Sequence, residues 1–382
     1  MKLLFLFIIL FRFTAPYTQT IRVRIYDAIQ TKELQIVIGS GNYLLVANQP
    51  DGSTKQITLR TLAQGRIKMS GSQLQFVQNG SILLQSSQFE FIQQAREDFI
   101  NWSIPAISSK TRAYEGDFEL SVRKGQICLI NIVELETYLE GVVSSEGGSG
   151  HQKAYYQAQA IISRTYALSN INRHQKEGYA LCDRVHCQAY LHKRTGSALI
   201  DSAVFQTRSV VLLDSNNAYF PTFFHANCGG QTCAPQDVWN EQIMGLQSFK
   251  DTFCIHTKQA TWVKHIPLTN WTDFLVENYG FPIQDSTTFA LMQHFQSTNR
   301  SAFYIHPVYG IPMRDLREAF KLKSSFFDAE IMGEEIILRG KGFGHGVGLC
   351  QEGAMNMAKQ GYSYDQILRF YYSGAHLSTG PQ

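Results

Sequence analysis

Residues 142–168 read VVSSEGGSGHQKAYYQAQAIISRTYAL, and one kind of sequence pattern gives way to another there. Ala154, Ala158, Ile161, Thr165 and Leu168 recur at steps of four, three, four and three, which puts them on one face of a helix. Ser149 is followed three residues later by Gln152, the spacing of a capping box. This reading places Glu146 on a Gly-flanked turn just before the helix N-terminus. Upstream the period is two. IRVRIY, ELQIVI, YLLVANQ, QITL and SILLQ are short strands punctuated by Gly39, Gly41 and Asn79-Gly80. The β pattern runs to about Val133 and passes into a short helical piece, Leu135 to Leu139. The expected class is α+β, mainly β with a few short helices.

Downstream, EEIILRG leads into a segment where Gly342, Gly344, Gly346 and Gly348 alternate with Phe343, His345 and Val347. Period-two glycine predicts an extended segment with one bare face that a backbone or ligand approaches closely. It is not GxGxxG, so it does not suggest a phosphate cradle. A helix then runs from Leu349 to a stop near Gly361, and Ser363 with Gln366 opens a last helix ending near Gly374. Segment 256–330 is the least regular, with LTNWTDFLVENYG and RDLREAF reading as helical. Three parts are expected: residues 1–20 as a leader, 21–105 as a small β module, and 106–376 as a larger domain carrying the chemistry.

The chain has 382 residues, of which 44% are hydrophobic and 17% charged, and a formal net charge of +3. That composition is globular, and the length suits about two domains. No block of like charges marks a nucleic-acid partner. In MKLLFLFIILFRFTAPYTQT, Lys2 precedes an apolar run from Leu3 to Leu10, too short to span a bilayer and of the size of a secretory core. An exported protein of the periplasm or cell envelope is expected, cleaved near residues 17–20 or anchored by an uncleaved N-terminus. Tyr and Phe are plentiful, at 18 and 25. They suit sheet packing, and some could line a sugar groove.

Three places could carry chemistry. Glu146 is either a solvated loop anion favoured by a helix N-terminus or a catalytic acid. Most glycosidases need two carboxylates. A lytic transglycosylase needs one, which protonates the glycosidic oxygen and then deprotonates the sugar's own 6-hydroxyl. Such an acid needs its pKa raised by burial, against the pull of a helix N-terminus. The second place is RHQKEGYALCDRVHCQAY. His174, Cys182, His186 and Cys187 have the composition of a closed zinc site, and a Cys182–Cys187 disulfide is the alternative. The third is HANCGGQTCAPQDVWN, where Cys228 could pair with Cys233 or Cys254, or act as a nucleophile beside a His. Cys128 and Cys350 lie in apolar surroundings and read as buried. The H-x-E and P-C-x-x-C signature of zinc deaminases is absent, as is G-x-S-x-G.

ETYLEGVVSSEGG, YYQAQAIISRTYAL, CDRVHCQAY, HANCGGQTCAPQDVW and GKGFGHGVGLCQEGAMNMAKQGYSYDQILRFYYSG together resemble the stage II sporulation protein D family of bacterial lytic transglycosylases, which includes the amidase enhancers. The five pieces occur in the family's order over roughly residues 110–375. The resemblance implies Glu146 as catalytic acid and base. It implies a structural zinc held by Cys182 and Cys187 with His174 and His186, bracing the active-site loops, and no organic cofactor. It implies a groove lined by Arg164, Tyr166, His345 and Gln351. The implied substrate is peptidoglycan glycan, often stripped of stem peptides and cut between N-acetylmuramic acid and N-acetylglucosamine to leave 1,6-anhydro ends. Many members continue with Met-Pro after the Glu, where this chain has Gly147-Gly148. The rival class is a non-catalytic glycan binder that stimulates a cell-wall amidase; a zinc hydrolase with an open metal position is a third.

Overall fold

The computed structural model describes residues 19–49, 51–105, 108–192 and 197–379; nearly all of the expected leader, residues 1–20, lies outside them. Two compact units are present, one formed by residues up to 138 with 172–187 and the other by 139–171 with 188 onward. The class is mixed α+β and mainly β, as the patterns predict.

The first unit is built from β1 (Thr20–Ile25), β2 (Glu33–Ser40), β3 (Asn42–Asn48), β4 (Thr54–Arg60), β5 (Gln64–Ser70), β6 (Gln73–Gln78), β7 (Ser81–Ser86), β8 (Gln88–Gln93), β9 (Phe99–Ile104), β10 (Ser108–Glu115), β11 (Asp117–Arg123), β12 (Gln126–Glu134) and, from the later insertion, β13 (Leu181–Cys182). One sheet has the order β13-β1-β12-β11-β8-β3-β4 and the other β10-β9-β2-β5-β6-β7. Alternating burial makes most of these strands two-faced. In β2 the buried side chains are Leu34, Ile36 and Ile38, and in β3 Tyr43, Leu45 and Ala47. The two sheets meet across Trp102 of β9, whose ring lies 5.5 Å from Phe91 and 5.0 Å from Phe118 on the facing sheet. The boundary expected at residue 105 falls inside the β9–β10 pairing, and β1 pairs with β12. The strands before and after it therefore share one sandwich.

The second unit takes α1 (Leu135–Gly147) from Leu139 onward, then α2 (Lys153–Ser169), α3 (Ala198–Gln206), β14 (Val210–Leu213), β15 (Phe224–His225) and α4 (Gln236–Trp239). Next come β16 (Thr261–Pro267), α5 (Leu268–Tyr279), α6 (Ser286–Gln293), β17 (His294–Phe295), α7 (Met313–Ala319), β18 (Phe327–Met332) and β19 (Glu335–Lys341). The unit ends with β20 (Leu349–Cys350), α8 (Gln351–Lys359), α9 (Tyr364–Tyr371) and β21 (His376–Thr379). Helix α2 is buried on nearly every side, from Tyr155 to Ala167. Its Ala158 and Ala160 keep it thin enough for α3, α8, α9 and β14 to surround it. The weakly patterned 256–330 stretch forms a second core, in which α5, α6 and α7 cover the antiparallel sheet β16-β19-β18-β17 around Trp271, Tyr304 and Phe327. Both helical readings made there, α5 and α7, hold.

Three local expectations differ from what forms. The short helix expected over 135–139 runs on to Gly147, because Val142 and Val143 continue its buried face. Ser149 and Gln152 form no capping box: α2 starts at Lys153, and its N-cap residue, Gln152, makes no side-chain cap bond. The alternating glycines do not form a strand. Gly342, Gly344, Gly346 and Gly348 all have positive φ, +79°, +106°, +87° and +72°, a conformation open chiefly to glycine. The close backbone approach is present all the same, since a Cβ on Gly348 would overlap the Phe223 carbonyl oxygen. The Ser363–Gln366 capping box of α9 forms as read.

Trp102 is fully buried and joins both sheets of the first unit. Trp102→Ala is expected to destabilise that unit by about 3–5 kcal/mol, measured as a lower denaturant midpoint.

Candidate functional site

Glu146 lies in the last turn of α1, not on a turn ahead of α2. Gly148 (φ +66°) ends the helix in the left-handed conformation usual after a C-terminus. Proline, with φ fixed near −65°, cannot follow this path, so the departure from Met-Pro is built into the turn. The loop is then tied down by Tyr156, whose hydroxyl donates to the Gly148 carbonyl (3.2 Å) and accepts from the His151 N–H (3.2 Å). Tyr155, fully buried, packs under Gly147, and a Cβ on that glycine would lie 3.4 Å from its ring.

The carboxylate is partly buried and accepts one short hydrogen bond, from the Ala189 N–H to Oε1 at 2.6 Å. Next to it, Ser145 Oγ accepts from the Leu191 N–H (3.2 Å). The end of α1 and the strip 189–191 are thus fastened at two points. Burial pushes the Glu146 carboxyl above the usual range, and the Ala189 N–H offsets only part of that. A helix C-terminus carries negative partial charge and also disfavours the anion. The opposing pull of a helix N-terminus, expected from the sequence, is removed by the true position of the residue.

Gln351, the first residue of α8, is buried and serves this arrangement from behind. Its Nε2 donates to the Glu146 carbonyl oxygen (3.2 Å) and to Gln159 Oε1 (3.4 Å). Gln188 Nε2 in turn donates to the Ser163 carbonyl (3.3 Å). The sequence reading put Gln351 in a groove, but its amide is spent on the framework. The same correction applies to Arg164. It is 1% exposed, and its guanidinium donates to the Val210 carbonyl (3.0 Å). Tyr166 is half-buried on α2. Ala189, Gln159 and Gln188 were not singled out from the sequence. Ala189 acts through its main chain, which side-chain chemistry does not reveal.

His345 is partly buried and sits in an aromatic group, 5.2 Å from the Trp239 ring and 5.6 Å from the His225 ring. Trp239 packs at a tilt against Phe223, with ring centroids 4.6 Å apart, and remains 38% exposed. Burial, with Arg317 and Arg300 nearby, lowers His345 to about 4. His225 is held well below its ordinary value, chiefly by burial. Both rings are neutral at physiological pH. Among the described residues the buried Nε2 of His225 has no hydrogen-bond partner, while its Nδ1 faces the Val347 carbonyl (3.1 Å).

The first unit holds His174, Cys182, His186 and Cys187 with one donor atom from each within 4.8 Å of the others. Strand β13 brings Cys182 there by pairing in parallel with β1 (Arg24↔Cys182). Asp183 locks the join: its carboxylate accepts from the Tyr26 N–H (2.7 Å) and from Arg112 (3.0 Å). Cys182 Sγ lies 3.7 Å from His186 Nδ1, and Cys187 Sγ lies 3.5 Å from His174 Nε2 and 3.6 Å from His186 Nδ1. Two thiolates and two imidazoles around one tetrahedral zinc would stand about 3.3–3.8 Å apart, so the donor set and its spacing fit. His174 Nδ1 meets Glu177 Oε1 at 2.9 Å, the carboxylate–imidazole support that orients a metal-binding histidine. The proximity of the two sulfurs lowers the Cys182 thiol and raises that of Cys187.

Residues 123–213 match the family model described as stage II sporulation protein. The chain is 28% identical over 261 residues to the stage II sporulation protein D of Bacillus subtilis, covering 64% of this chain and 75% of that protein. It is 26% identical over 268 residues to an uncharacterized protein of Brachyspira hyodysenteriae, covering 69% of this chain and 72% of the relative. It is 24% identical over 291 residues to the amidase enhancer of Bacillus subtilis, of which the match covers 40%. Glu146, Ala189 and the four zinc-type donors all lie inside the segment matched by the family model. With the ordered motifs that flank that segment, these similarities support kinship with the stage II sporulation protein D family.

Proposed function

We propose that the protein is a peptidoglycan lytic transglycosylase with Glu146 as its catalytic carboxylate. The supporting observation is the state of that side chain: partly buried at a helix C-terminus, raised in pKa, and aimed by a single N–H from Ala189. A carboxyl that keeps its proton to higher pH than an ordinary Glu is the better acid for a glycosidic oxygen. Proton transfer to that oxygen breaks its bond to the anomeric carbon of N-acetylmuramic acid. The Glu146 carboxylate then takes the proton of the same sugar's 6-hydroxyl as that oxygen bonds to the anomeric carbon. The 1,6-anhydro ring closes, Glu146 is reprotonated, and no water is consumed. Ala189 N–H orients the carboxylate, and Gln351 holds the backbone behind it. The neutral His345, with exposed Trp239 beside it, offers an uncharged polar and aromatic surface suited to a sugar ring. Export to the cell envelope belongs to this reading, since that is where the substrate lies.

The observed set His174, Cys182, His186 and Cys187 would hold a zinc through four protein ligands, which leaves no open position. When bound, such an ion supplies structure, fixing the 174–187 segment, and does no hydrolysis.

Incubated with denuded glycan strands, the wild type is expected to release 1,6-anhydro-muramyl products detectable by mass spectrometry. Glu146→Gln should lose about 10²–10⁴-fold of that activity. Reducing ends without anhydro product would mean hydrolysis and overturn the reading; binding of glycan with no turnover would favour an amidase enhancer. The acid must be protonated, so the rate should fall as pH rises through a value above that of an ordinary Glu. Stability follows the same sign. With the folded pKa raised, the contribution is fully present below the unfolded pKa and is lost as pH rises through the folded one. Glu146→Gln should therefore unfold at the same or a higher temperature than wild type at neutral pH, and the difference should vanish in acid.

For the metal, Cys182→Ser should remove zinc from the His174-Cys182-His186-Cys187 set. Glu177→Gln should weaken its binding about 10–100-fold, read by competition with a chromophoric chelator. A Cys182–Cys187 disulfide in the purified protein would overturn this assignment.

A further inference from the structure

A second convergence of ligand atoms lies wholly inside the other unit. Cys228, Asp251, Cys254 and Cys350 are each 0% exposed, and one donor atom from each lies within 4.8 Å of the rest. They come from distant parts of the chain. Cys228 follows β15, Asp251 and Cys254 lie on the loop after α4, and Cys350 ends β20 as the N-cap of α8. Cys228 Sγ stands 3.2 Å from Cys254 Sγ and 3.3 Å from Asp251 Oδ2. From these four side chains we infer a second zinc site, a closed tetrahedral centre of three thiolates and one carboxylate.

Three features favour a cation over a simple thiol pair. A Cys228–Cys254 disulfide would use two of the four groups and leave Cys350 and Asp251 facing it with no purpose. Asp251 is a buried carboxylate, and among the described residues no Lys or Arg is paired with it. Its oxygens are instead aimed by the Tyr371 hydroxyl (2.9 Å) and the Phe253 N–H (2.9 Å). A buried carboxylate beside three thiols is costly unless positive charge meets it. Cys350 Sγ also accepts from two backbone N–H groups, Cys228 (3.3 Å) and Gly353 (3.4 Å). That is the outer support given to a metal-bound thiolate. Binding would release the three thiol protons to solvent. Three thiolates, one carboxylate and one Zn²⁺ carry a formal charge of −2, which the N–H groups at the start of α8 partly offset. All four positions being protein ligands and buried, the ion would be structural and would join β15, β20 and the Asp251 loop.

The test uses the full-length Cys182→Ser/Cys187→Ser protein, so that the first zinc assignment cannot decide the outcome. Metal analysis is expected to give one zinc per chain in that variant and two in the wild type. Loaded with cobalt(II), the variant should show the thiolate-to-metal absorption of a three-sulfur site, and a further Cys254→Ser should abolish it. A metal-free variant overturns the inference, whether it carries a Cys228–Cys254-linked peptide or three free thiols. If the variant fails to fold, the wild type alone decides. Two zinc per chain with all seven cysteines reduced supports the site; one zinc with a Cys228–Cys254 linkage overturns it.

Discussion

The 2.6 Å hydrogen bond from the Ala189 N–H to Glu146 Oε1 is the constraint on which the proposed chemistry rests. A carboxyl at the frayed end of a helix would ordinarily sample several rotamers in water. Here one main-chain donor fixes it, and the neighbouring Ser145–Leu191 contact keeps that donor from drifting. The donor is part of the backbone, so no substitution short of proline removes it. The same bond favours the charged form, yet burial prevails and the pKa stays raised. The group is therefore both held in place and favoured in its protonated form, which two separate interactions achieve without a second carboxylate.

Support for this arrangement comes from buried amides. Gln159 on α2, Gln188 beside the strip and Gln351 on α8 face carbonyls and one another inside the helical part of the unit. Amides are neutral and carry both donors and acceptors, so they satisfy buried backbone groups without adding charge near an acid whose pKa matters. Arg164, also on α2, satisfies the Val210 carbonyl of β14 and the Val204 carbonyl of α3.

Much of this was legible in the residues. Period-two alternation identified the strands of the sandwich, the 3.6-residue period identified α2 and α8, and the Ser363–Gln366 capping box identified α9. The donor set at 174–187 could be named because His and Cys chemistry is local in that segment. What could not be read is instructive. Glu146 was assigned to a turn because two glycines and a serine follow it, whereas burial of Val142 and Val143 carries α1 through it. Arg164 and Gln351 were placed in a groove by the family resemblance; tertiary bonds to carbonyls draw them inside. The cluster of Cys228, Asp251, Cys254 and Cys350 joins residues up to about 120 positions apart, and spacing carries no signal at that range. The alternating glycines were read as a strand since periodicity cannot distinguish a bare face from a repeated positive φ.

That glycine segment has a kinetic consequence. Its backbone is held by the bonds Gly342 N–H to Ala260, Phe343 N–H to Asn227, Gly344 N–H to Lys323, Cys233 N–H to Gly346 and Leu349 N–H to Phe223. Nearly all of these partners lie far away in sequence, and glycine brings no local preference that would prefigure the shape. Closing such loops is entropically slow, and the reward comes only once the distant partners stand in place. The form of the segment bearing His345 is thus set by partners distant in sequence, and the aromatic surface around it is a tertiary feature that no local preference could build alone.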